Sequence, residues 1–310
     1  MKFAMVFPGQ GSQSIGMMQA YEGLPMIQET FSEASDVIGE DIWQWVTTGS
    51  DDYLAQTQRT QPVMLTAGVA LYRAWSALGG AVPDFLAGHS LGEYTALVVA
   101  GSLSFPDAVR AVQHRAFLMQ NQVPDGEGGM VAILGLTDDK VQLLCEQASL
   151  GDVLECANFN TPGQVVVAGK IQAIERILKL APSFGAKKAI RLKMNIPSHC
   201  TLMKGAAEKL GGFLESLTVL PPNIPVLHNV NAALAQTPDS IREALTRQLY
   251  QPVRWVAIMS YLADQAMTHV IECGPGKVLA GMTKRADSRL IGLGLSDVVQ
   301  FQNTLQMIRA

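Results

Sequence analysis

A short apolar run from Asp84 to Ala87 leads directly into Gly88-His-Ser-Leu-Gly92, and an apolar helical pattern follows up to Ala100. Strand, tight turn and helix fit the G-x-S-x-G elbow, in which small residues let a serine hydroxyl stand clear of the backbone. The run from Lys2 to Phe7 is similar, because it ends at Pro8-Gly9 and helical patterns come after it. Strands that alternate with helices predict an α/β fold with a mainly parallel sheet.

The sequence pattern changes over residues 126–194, where the predicted elements follow the order βαββαβ. This order is the signature of a ferredoxin-like unit. We therefore predict a large hydrolase-like α/β domain, formed by residues 1–125 and 195–310, and a small ferredoxin-like subdomain inserted at 126–194. The predicted elements of the insert are Met130 to Leu134, Asp138 to Gln147, Val153 to Asn158, Gln164 to Ala168, Lys170 to Leu180, and a last strand through Ile190, Leu192 and Met194.

Composition and charge limit the classes of function. The 310 residues are 48% hydrophobic and 16% charged, which is typical of a globular enzyme with one large core and a smaller one. A net charge of -4 without a long Lys or Arg run disfavours nucleic acid as a partner. Apolar stretches are too short or too interrupted for a signal peptide or a membrane span, so we expect a cytoplasmic protein without a membrane partner. The cysteines lack metal-type spacing, and no metal is expected.

Ser90 at the centre of the elbow is the predicted nucleophile. The helix that begins at Leu91 directs free backbone N–H groups and its positive end toward negative charge on a bound carbonyl oxygen. A serine nucleophile also needs a base. Of the five histidines, His89 is too near along the chain to fold back, whereas His199 follows the return from the insert, where a loop can face the elbow across a cleft. The sequence favours His199 and leaves His269 open.

Arg115 carries the information about the substrate. The predicted helix from Asp107 to Gln120 has one apolar stripe, and Arg115 lies in the middle of it. A guanidinium directed into an apolar region needs a carboxylate, which Arg binds through two parallel hydrogen bonds. One interpretation is a structural ion pair with an acidic side chain. Near an acylated serine we favour the other, in which a free carboxylate on the acyl group completes the pair.

Six ordered segments carry a resemblance that spans essentially the whole chain. Together they resemble the malonyl-CoA:acyl carrier protein transacylases of bacterial fatty-acid synthesis. Such an ordered set of motifs is highly specific. The segments are Phe7-Pro-Gly-Gln-Gly-Ser-Gln13, Gly88-His-Ser-Leu-Gly-Glu-Tyr94, Asn158-Phe-Asn-Thr-Pro-Gly-Gln164, Pro197-Ser-His199, Arg247-Gln-Leu-Tyr250 and Gly274-Pro-Gly-Lys277.

The resemblance implies that Ser90 is acylated, that His199 is its base and that Arg115 pairs with the malonyl carboxylate. It further implies that the backbone N–H groups of Gln10 and Leu91 form the oxyanion hole.

The main-chain carbonyl of Gln248 is implied to orient the histidine, so that a Ser-His dyad works without an aspartate. The implied substrate is malonyl-CoA and the implied partner is acyl carrier protein. No cofactor is implied, because the coenzyme A thioester is a substrate. Cys273 departs from the family pattern, in which a valine-like residue precedes Gly-Pro-Gly, and this change is expected to affect packing.

Two other functions are compatible with parts of the sequence. An α/β-hydrolase such as a thioesterase has the chain order serine, acid, histidine, which Ser90, Asp264 and His269 satisfy. However, its HGGG-type loop is missing. A carrier-docking protein with a dead site is the non-enzymatic alternative, and the intact Ser90, His199 and Arg115 argue against it.

Overall fold

The computed structural model describes residues 1–21 and 23–309. The strands are β1 (Phe3–Phe7), β2 (Phe85–Gly88), β3 (Gly128–Leu134), β4 (Leu154–Thr161), β5 (Gln164–Lys170), β6 (Lys188–Arg191), β7 (Val226–Leu227), β8 (His269–Glu272) and β9 (Ile291–Gly294). The α-helices are α1 (Pro25–Ile38), α2 (Ile42–Thr47), α3 (Asp51–Leu54), α4 (Thr57–Ala77), α5 (Gly92–Val99), α6 (Phe105–Gln122), α7 (Asp138–Ser149), α8 (Ile171–Leu180), α9 (Lys204–Glu215), α10 (Pro238–Gln248), α11 (Trp255–Asp264), α12 (Val278–Ala286) and α13 (Val298–Arg309). Short 3-10 helices span Gln19–Tyr21, Ala181–Phe184 and Thr201–Met203.

Strands β7, β2, β1, β8 and β9 form, in this order, a sheet in which neighbouring strands are parallel. The register pairs Phe7 of β1 with Gly88 of β2. Because the carboxyl ends of parallel strands meet at one edge of a sheet, the loops after Phe7 and Gly88 emerge side by side. The predicted α/β fold with a mainly parallel sheet is confirmed, and its topology brings two glycine-rich segments together.

Two hydrophobic clusters cover the two faces of this sheet. Phe3, Met5 and Phe7 belong to the larger cluster, and Ala4 and Val6 belong to the smaller one. Successive strand residues point to opposite faces. Strand β1 is therefore apolar at every position because both of its faces are buried.

Helix α4 crosses the larger cluster and is buried along most of its length. The apolar helical pattern in the sequence runs from Gln61 to Leu78, whereas the helix begins one turn earlier, at Thr57. The sequence does not signal this turn, because Thr57 to Thr60 is polar and Pro62 follows it. In the fold Thr57, Thr60 and Gln61 are nevertheless buried.

Strands β4, β5, β3 and β6 form a second, antiparallel sheet in this order. Helices α7 and α8 pack with it around a cluster that includes Val131, Leu144, Val165 and Ile174. The βαββαβ order and the placement of the first and third strands at the centre are those of a ferredoxin-like unit. The limits of this subdomain, 126–194, stay a prediction.

The last strand of the second sheet is shorter than predicted. Strand β6 spans Lys188–Arg191, whereas the alternating apolar and charged residues predict a strand that continues to Met194. Leu192 still donates its backbone N–H to the Met130 carbonyl at 2.9 Å, but the chain leaves the strand conformation there. The side chains of Leu192 and Met194 pack against the second sheet and line the cleft.

A helix that crosses a bilayer must be long and predominantly apolar. Within residues 1–21 and 23–309, none of them combines sufficient length with sufficient apolarity to span a membrane.

The elbow between β2 and α5 has no room for additional side-chain atoms. A Cβ atom on Gly88 would lie 1.9 Å from the backbone of Gly92, and a Cβ on Gly92 would lie 2.0 Å from the carbonyl oxygen of Phe7. Since the closest atoms are backbone atoms, a small side-chain movement cannot relieve the clash. Both glycines are required by close approach of β1, β2 and α5.

We expect Gly92→Ala to lower the free energy of unfolding by about 3 kcal/mol, because the new methyl group overpacks the elbow. Gly212→Ala is the matched control, since Gly212 lies on the exposed side of α9 with nothing near its Cβ position. That change should raise the free energy of unfolding by about 0.5 kcal/mol through helix propensity. Urea denaturation of the two variants measures both values, and equal stability of the two would contradict the packing described for the elbow.

Candidate active site

The elbow places Ser90 in a strained backbone conformation at the mouth of a cleft. Its φ angle is 52°, in the left-handed region that residues other than glycine rarely adopt. Asn229 holds both sides of this turn. Its Oδ1 accepts a hydrogen bond from the Ser90 amide at 2.7 Å, and its Nδ2 donates one to the Gly88 carbonyl at 2.7 Å. The strain therefore persists because neighbouring groups fix the turn.

His199 lies beside the serine, as predicted from the sequence. The Oγ of Ser90 and the Nε2 of His199 are 2.8 Å apart. The other ring nitrogen, Nδ1, lies 2.7 Å from the main-chain carbonyl of Gln248. Because a carbonyl oxygen only accepts hydrogen bonds, Nδ1 carries the proton and Nε2 has a free lone pair. The geometry prepares Nε2 to take the proton from the serine hydroxyl.

His199 stays neutral well into the acid range. Burial, and to a lesser extent the positive charge of Arg115, lower its pKa to about 3, although the hydrogen bond to the Gln248 carbonyl opposes both effects. The ring is 4% exposed. A histidine in this environment is in the base form at every pH near neutrality.

Arg115 projects from α6 into the same site and is 1% exposed. Its Nη2 donates to the Ser90 Oγ at 3.1 Å and to the Gln248 Oε1 at 2.9 Å, and its Nη1 donates to the Gln61 Oε1 at 2.7 Å. These partners are neutral oxygens. No carboxylate in the described residues lies within ion-pair distance of this guanidinium. The structure therefore does not contain the structural ion pair that was one interpretation of the sequence.

The buried carboxylate of Glu93 lies behind Gln248, which separates it from the Arg115 guanidinium. Oε2 of Glu93 accepts from the Gln248 Nε2 at 2.9 Å and from the Asn229 amide at 3.0 Å, and Oε1 lies 2.6 Å from the Nδ1 of His228. Burial lowers the pKa of Arg115, while Tyr94 and Glu93 raise it. Glu93 thus balances the charge of Arg115 through Gln248 without neutralising it by contact.

Sequence patterns did not predict the roles of four residues near Arg115: Glu93, His228, Asn229 and Gln61. Only Glu93 gave a usable signal, since it is a charged residue in an apolar helix, as Arg115 is. The partners of Glu93 come from segments more than a hundred residues away. Such pairings have no local pattern.

Gln10 and Leu91 line the cleft together with Ser90, His199 and Arg115, and the cavity has a volume of about 220 Å³. Within the described part of the chain, neither the Gln10 nor the Leu91 backbone N–H donates a hydrogen bond to a protein acceptor. Two free donors beside a nucleophile are the arrangement that an oxyanion requires.

Gln248 occupies a different position from the other predicted site residues. It is fully buried and lies behind the cavity wall, where its main chain holds His199 and its side chain holds Arg115. Its side chain also donates to the Ser90 carbonyl at 2.9 Å. The resemblance implies that the Gln248 carbonyl orients the histidine, and all of these contacts are those of a positioning residue rather than of one that binds substrate.

The alternative triad of Ser90, Asp264 and His269 is wrong. His269 begins β8 and pairs with Phe3, at the amino end of the sheet, whereas Ser90 follows the carboxyl end of β2. Asp264 is exposed and pairs with Arg289 at 2.8 Å. Chain order alone suggested this triad, and chain order carries no information about strand direction.

Comparison with known proteins identifies the family. Residues 4–304 match the acyl transferase domain. The chain is 48% identical over 297 residues to the malonyl CoA-acyl carrier protein transacylase of Escherichia coli (strain K12), with 96% of each chain covered. This chain belongs to the malonyl CoA-acyl carrier protein transacylase family.

Solved structures of the family agree with this assignment over the whole fold. An acyl-carrier-protein S-malonyltransferase from Burkholderia pseudomallei 1710b superposes with a TM-score of 0.97 at 50% identity, covering 99% of this chain and 100% of that one. A malonyl-transacylase in complex with a type II PKS acyl-carrier protein gives a TM-score of 0.98 at 44% identity, with the same coverage. The resemblance found in the sequence motifs is confirmed.

The low pKa of His199 leads to a prediction that can be tested without the natural substrate. We expect the rate at which an organofluorophosphonate modifies Ser90 to stay level down to about pH 5, because the base is neutral there. Arg115→Gln removes a positive charge, raises the pKa of His199 and moves the acid limb to higher pH. Arg110→Gln is the control, since Arg110 is an exposed residue of the same helix that pairs with Asp107. An acid limb at the same pH in all three proteins would rule out the electrostatic effect of Arg115.

Proposed function

We propose that this protein transfers a malonyl group from malonyl-CoA to the phosphopantetheine thiol of acyl carrier protein through an ester on Ser90. One observation carries the proposal. The hydroxyl of Ser90 contacts a neutral histidine nitrogen at 2.8 Å and a buried guanidinium nitrogen at 3.1 Å. A base activates the nucleophile, and a cation lies where the free end of a short dicarboxylic acyl group would reach. Membership of the family supports the same reaction.

The first half-reaction forms the ester. The Oγ of Ser90 attacks the thioester carbonyl carbon while its proton passes to the Nε2 of His199. Negative charge develops on the carbonyl oxygen, where the backbone N–H groups of Gln10 and Leu91 stabilise it. The bond from carbon to sulfur then breaks, and His199 returns the proton to the leaving coenzyme A thiolate.

The second half-reaction reverses these steps with a different thiol. The phosphopantetheine thiol gives its proton to His199 and attacks the ester carbonyl, and the bond to the Ser90 oxygen breaks. This ping-pong sequence needs no metal and no cofactor, because the thioester supplies the activated acyl group. Water is a poor competitor when the acyl group fills a cavity of about 220 Å³.

Arg115 selects the acyl group. In the ester, the malonyl carboxylate takes the place of the weaker contacts that the guanidinium makes with neutral oxygens, and the pair is strengthened by burial. A monocarboxylic acyl group offers no such partner. The same clamp orients the ester carbonyl for attack by the incoming thiol.

The proposed partner is an acyl carrier protein, and the proposed location is the cytoplasm, where such carriers and coenzyme A thioesters meet. A relative in complex with an acyl-carrier protein supports the partner. The preformed contact between Ser90 and His199 supports an enzyme rather than a carrier-docking protein with a dead site.

We expect malonyl-CoA to leave a malonyl ester on Ser90 that mass spectrometry locates, and Ser90→Ala to abolish it. Carrier thiol should release the ester at least about a hundredfold faster than water, because the bound thiol is oriented and water is not. Ser183→Ala, which changes an exposed serine that does not line the cleft, is the control and should load normally. Release by water at the rate of the carrier would instead identify a thioesterase.

We further expect Arg115→Ala to reduce kcat/KM for malonyl-CoA by about a hundredfold, since a charge-assisted pair in a buried site is lost. Transfer of an acetyl group should be spared or improved. Parallel assays with malonyl-CoA and acetyl-CoA give the ratio of the two kcat/KM values in each protein. An equal loss for both acyl groups would refute the clamp.

A further inference from the structure

A continuous chain of side-chain hydrogen bonds connects Arg115 to Gln10. The Nη1 of Arg115 donates to the Gln61 Oε1 at 2.7 Å, the Gln61 Nε2 donates to the Thr57 Oγ1 at 2.9 Å, and the Thr57 hydroxyl donates to the Gln10 Oε1 at 3.0 Å. One end is the guanidinium of the proposed carboxylate clamp. The other end is the residue whose backbone N–H belongs to the proposed oxyanion hole.

The direction of the chain is fixed by chemistry. A guanidinium only donates, so Gln61 must present its oxygen to Arg115 and its NH₂ group to Thr57. The Thr57 hydroxyl accepts this hydrogen bond and has its own proton free for Gln10. Reversing the Gln61 amide would place its NH₂ group against the guanidinium, so that two donors face each other. The series of hydrogen bonds therefore has only one possible direction.

Helix geometry brings the two middle residues together. Thr57 and Gln61 are four residues apart on α4, and such residues lie on the same face. Both are buried. The Thr57 hydroxyl donates to Gln10 and not to the backbone of its own helix, in which Gln56 occupies the N-cap position. Thr60, by contrast, uses its hydroxyl locally and donates to the Leu54 carbonyl at 2.5 Å.

Thr57 is the firmest side-chain anchor of Gln10. The only other side-chain hydrogen bond of Gln10 in the described residues is a long one, from its Nε2 to the Ala55 carbonyl at 3.5 Å. Gln10 follows a strand through Pro8-Gly9, and its own side chain is half-buried. Loss of the Thr57 hydroxyl therefore removes the shorter of the two side-chain hydrogen bonds that restrain Gln10.

We propose that Thr57 is a positioning residue that couples the Arg115 clamp to the oxyanion hole at Gln10. Since the clamp and the oxyanion hole are parts of the proposed function, this role of Thr57 rests on it. A carboxylate that draws the guanidinium toward the acyl group acts through Gln61 and Thr57 on the position of Gln10. Binding of the correct acyl group and stabilisation of its transition state are thereby linked.

Single-turnover loading of Ser90 from malonyl-CoA tests the role of Thr57. Thr57→Val removes the hydroxyl at nearly constant volume and should lower the maximal loading rate by about tenfold, because displacement of an oxyanion donor raises the barrier to attack. The KM should change by less than about threefold, since the oxyanion forms only after binding. Thr57→Ser keeps both hydrogen bonds and should restore the rate to within about threefold.

Thr60→Val is the matched control, because it removes a buried hydroxyl from the same helix outside the chain. Its maximal loading rate should stay within about twofold of the unchanged protein. Thermal melting of each variant reports folding. Should Thr57→Val fail to fold, Thr57→Ala provides the same loss of hydrogen bonds with less bulk.

A double-mutant cycle tests the coupling itself. Arg115→Ala already removes the hydrogen bond from Arg115 to Gln61. In that background the effect of Thr57→Val on the loading rate should shrink from about tenfold to about twofold or less. If Thr57→Val lowers the loading rate by the same factor with and without Arg115→Ala, the two residues are not coupled, and the proposal is overturned. A full loading rate in Thr57→Val, or equal impairment of Thr57→Val and Thr57→Ser, would overturn the positioning role. Absence of any ester in the unchanged protein would overturn the proposed function, and the role of Thr57 with it.

Discussion

The positive charge of Arg115 is buried without a carboxylate in contact, and the rest of the site is arranged around it. Burial of an unpaired charge is costly unless hydrogen bonds replace the lost water. Here the amide oxygens of Gln61 and Gln248 and the hydroxyl of Ser90 replace it, and Glu93 balances the charge at a distance. The buried Nε of the guanidinium has no partner among the described residues, and a carboxylate, its strongest possible partner, is still to be gained. The same charge helps to keep His199 neutral, so one residue acts on both the substrate and the base.

The fold supplies this arrangement through short connections at one edge of the parallel sheet. Strands β1 and β2 end side by side, which places Gln10 and Ser90 on neighbouring loops. Gln248, at the end of α10, serves two purposes, because its main chain fixes the tautomer of His199 and its side chain holds Arg115. The ferredoxin-like unit closes the cleft from the other side with Leu192 and Met194. The two sheets and their connections thus bring together each group that the proposed reaction needs.

Sequence patterns predicted those parts of the molecule that depend on local chemistry. The elbow at Ser90, the apolar stripe around Arg115 and the βαββαβ order are all visible within short segments, and the structure has each of them. The choice between His199 and His269 was not decidable locally, because it depends on which ends of distant strands meet. The pairing of Glu93 with His228 and Asn229 was invisible for the same reason, and the end of β6 was misplaced because Leu192 and Met194 cover a cleft. The motifs of the family supplied the oxyanion donors and the role of the Gln248 carbonyl, which spacing alone does not reveal.

The most direct test of this account is a crystal structure of the protein in which Ser90 carries the malonyl ester. We expect the free carboxylate to accept two hydrogen bonds from the Arg115 guanidinium, which then no longer donates to the Ser90 oxygen. The ester carbonyl oxygen should lie within hydrogen-bonding distance of the Gln10 and Leu91 amides. A malonyl carboxylate that points to solvent while Arg115 keeps its contacts with Gln61 and Gln248 would contradict the account.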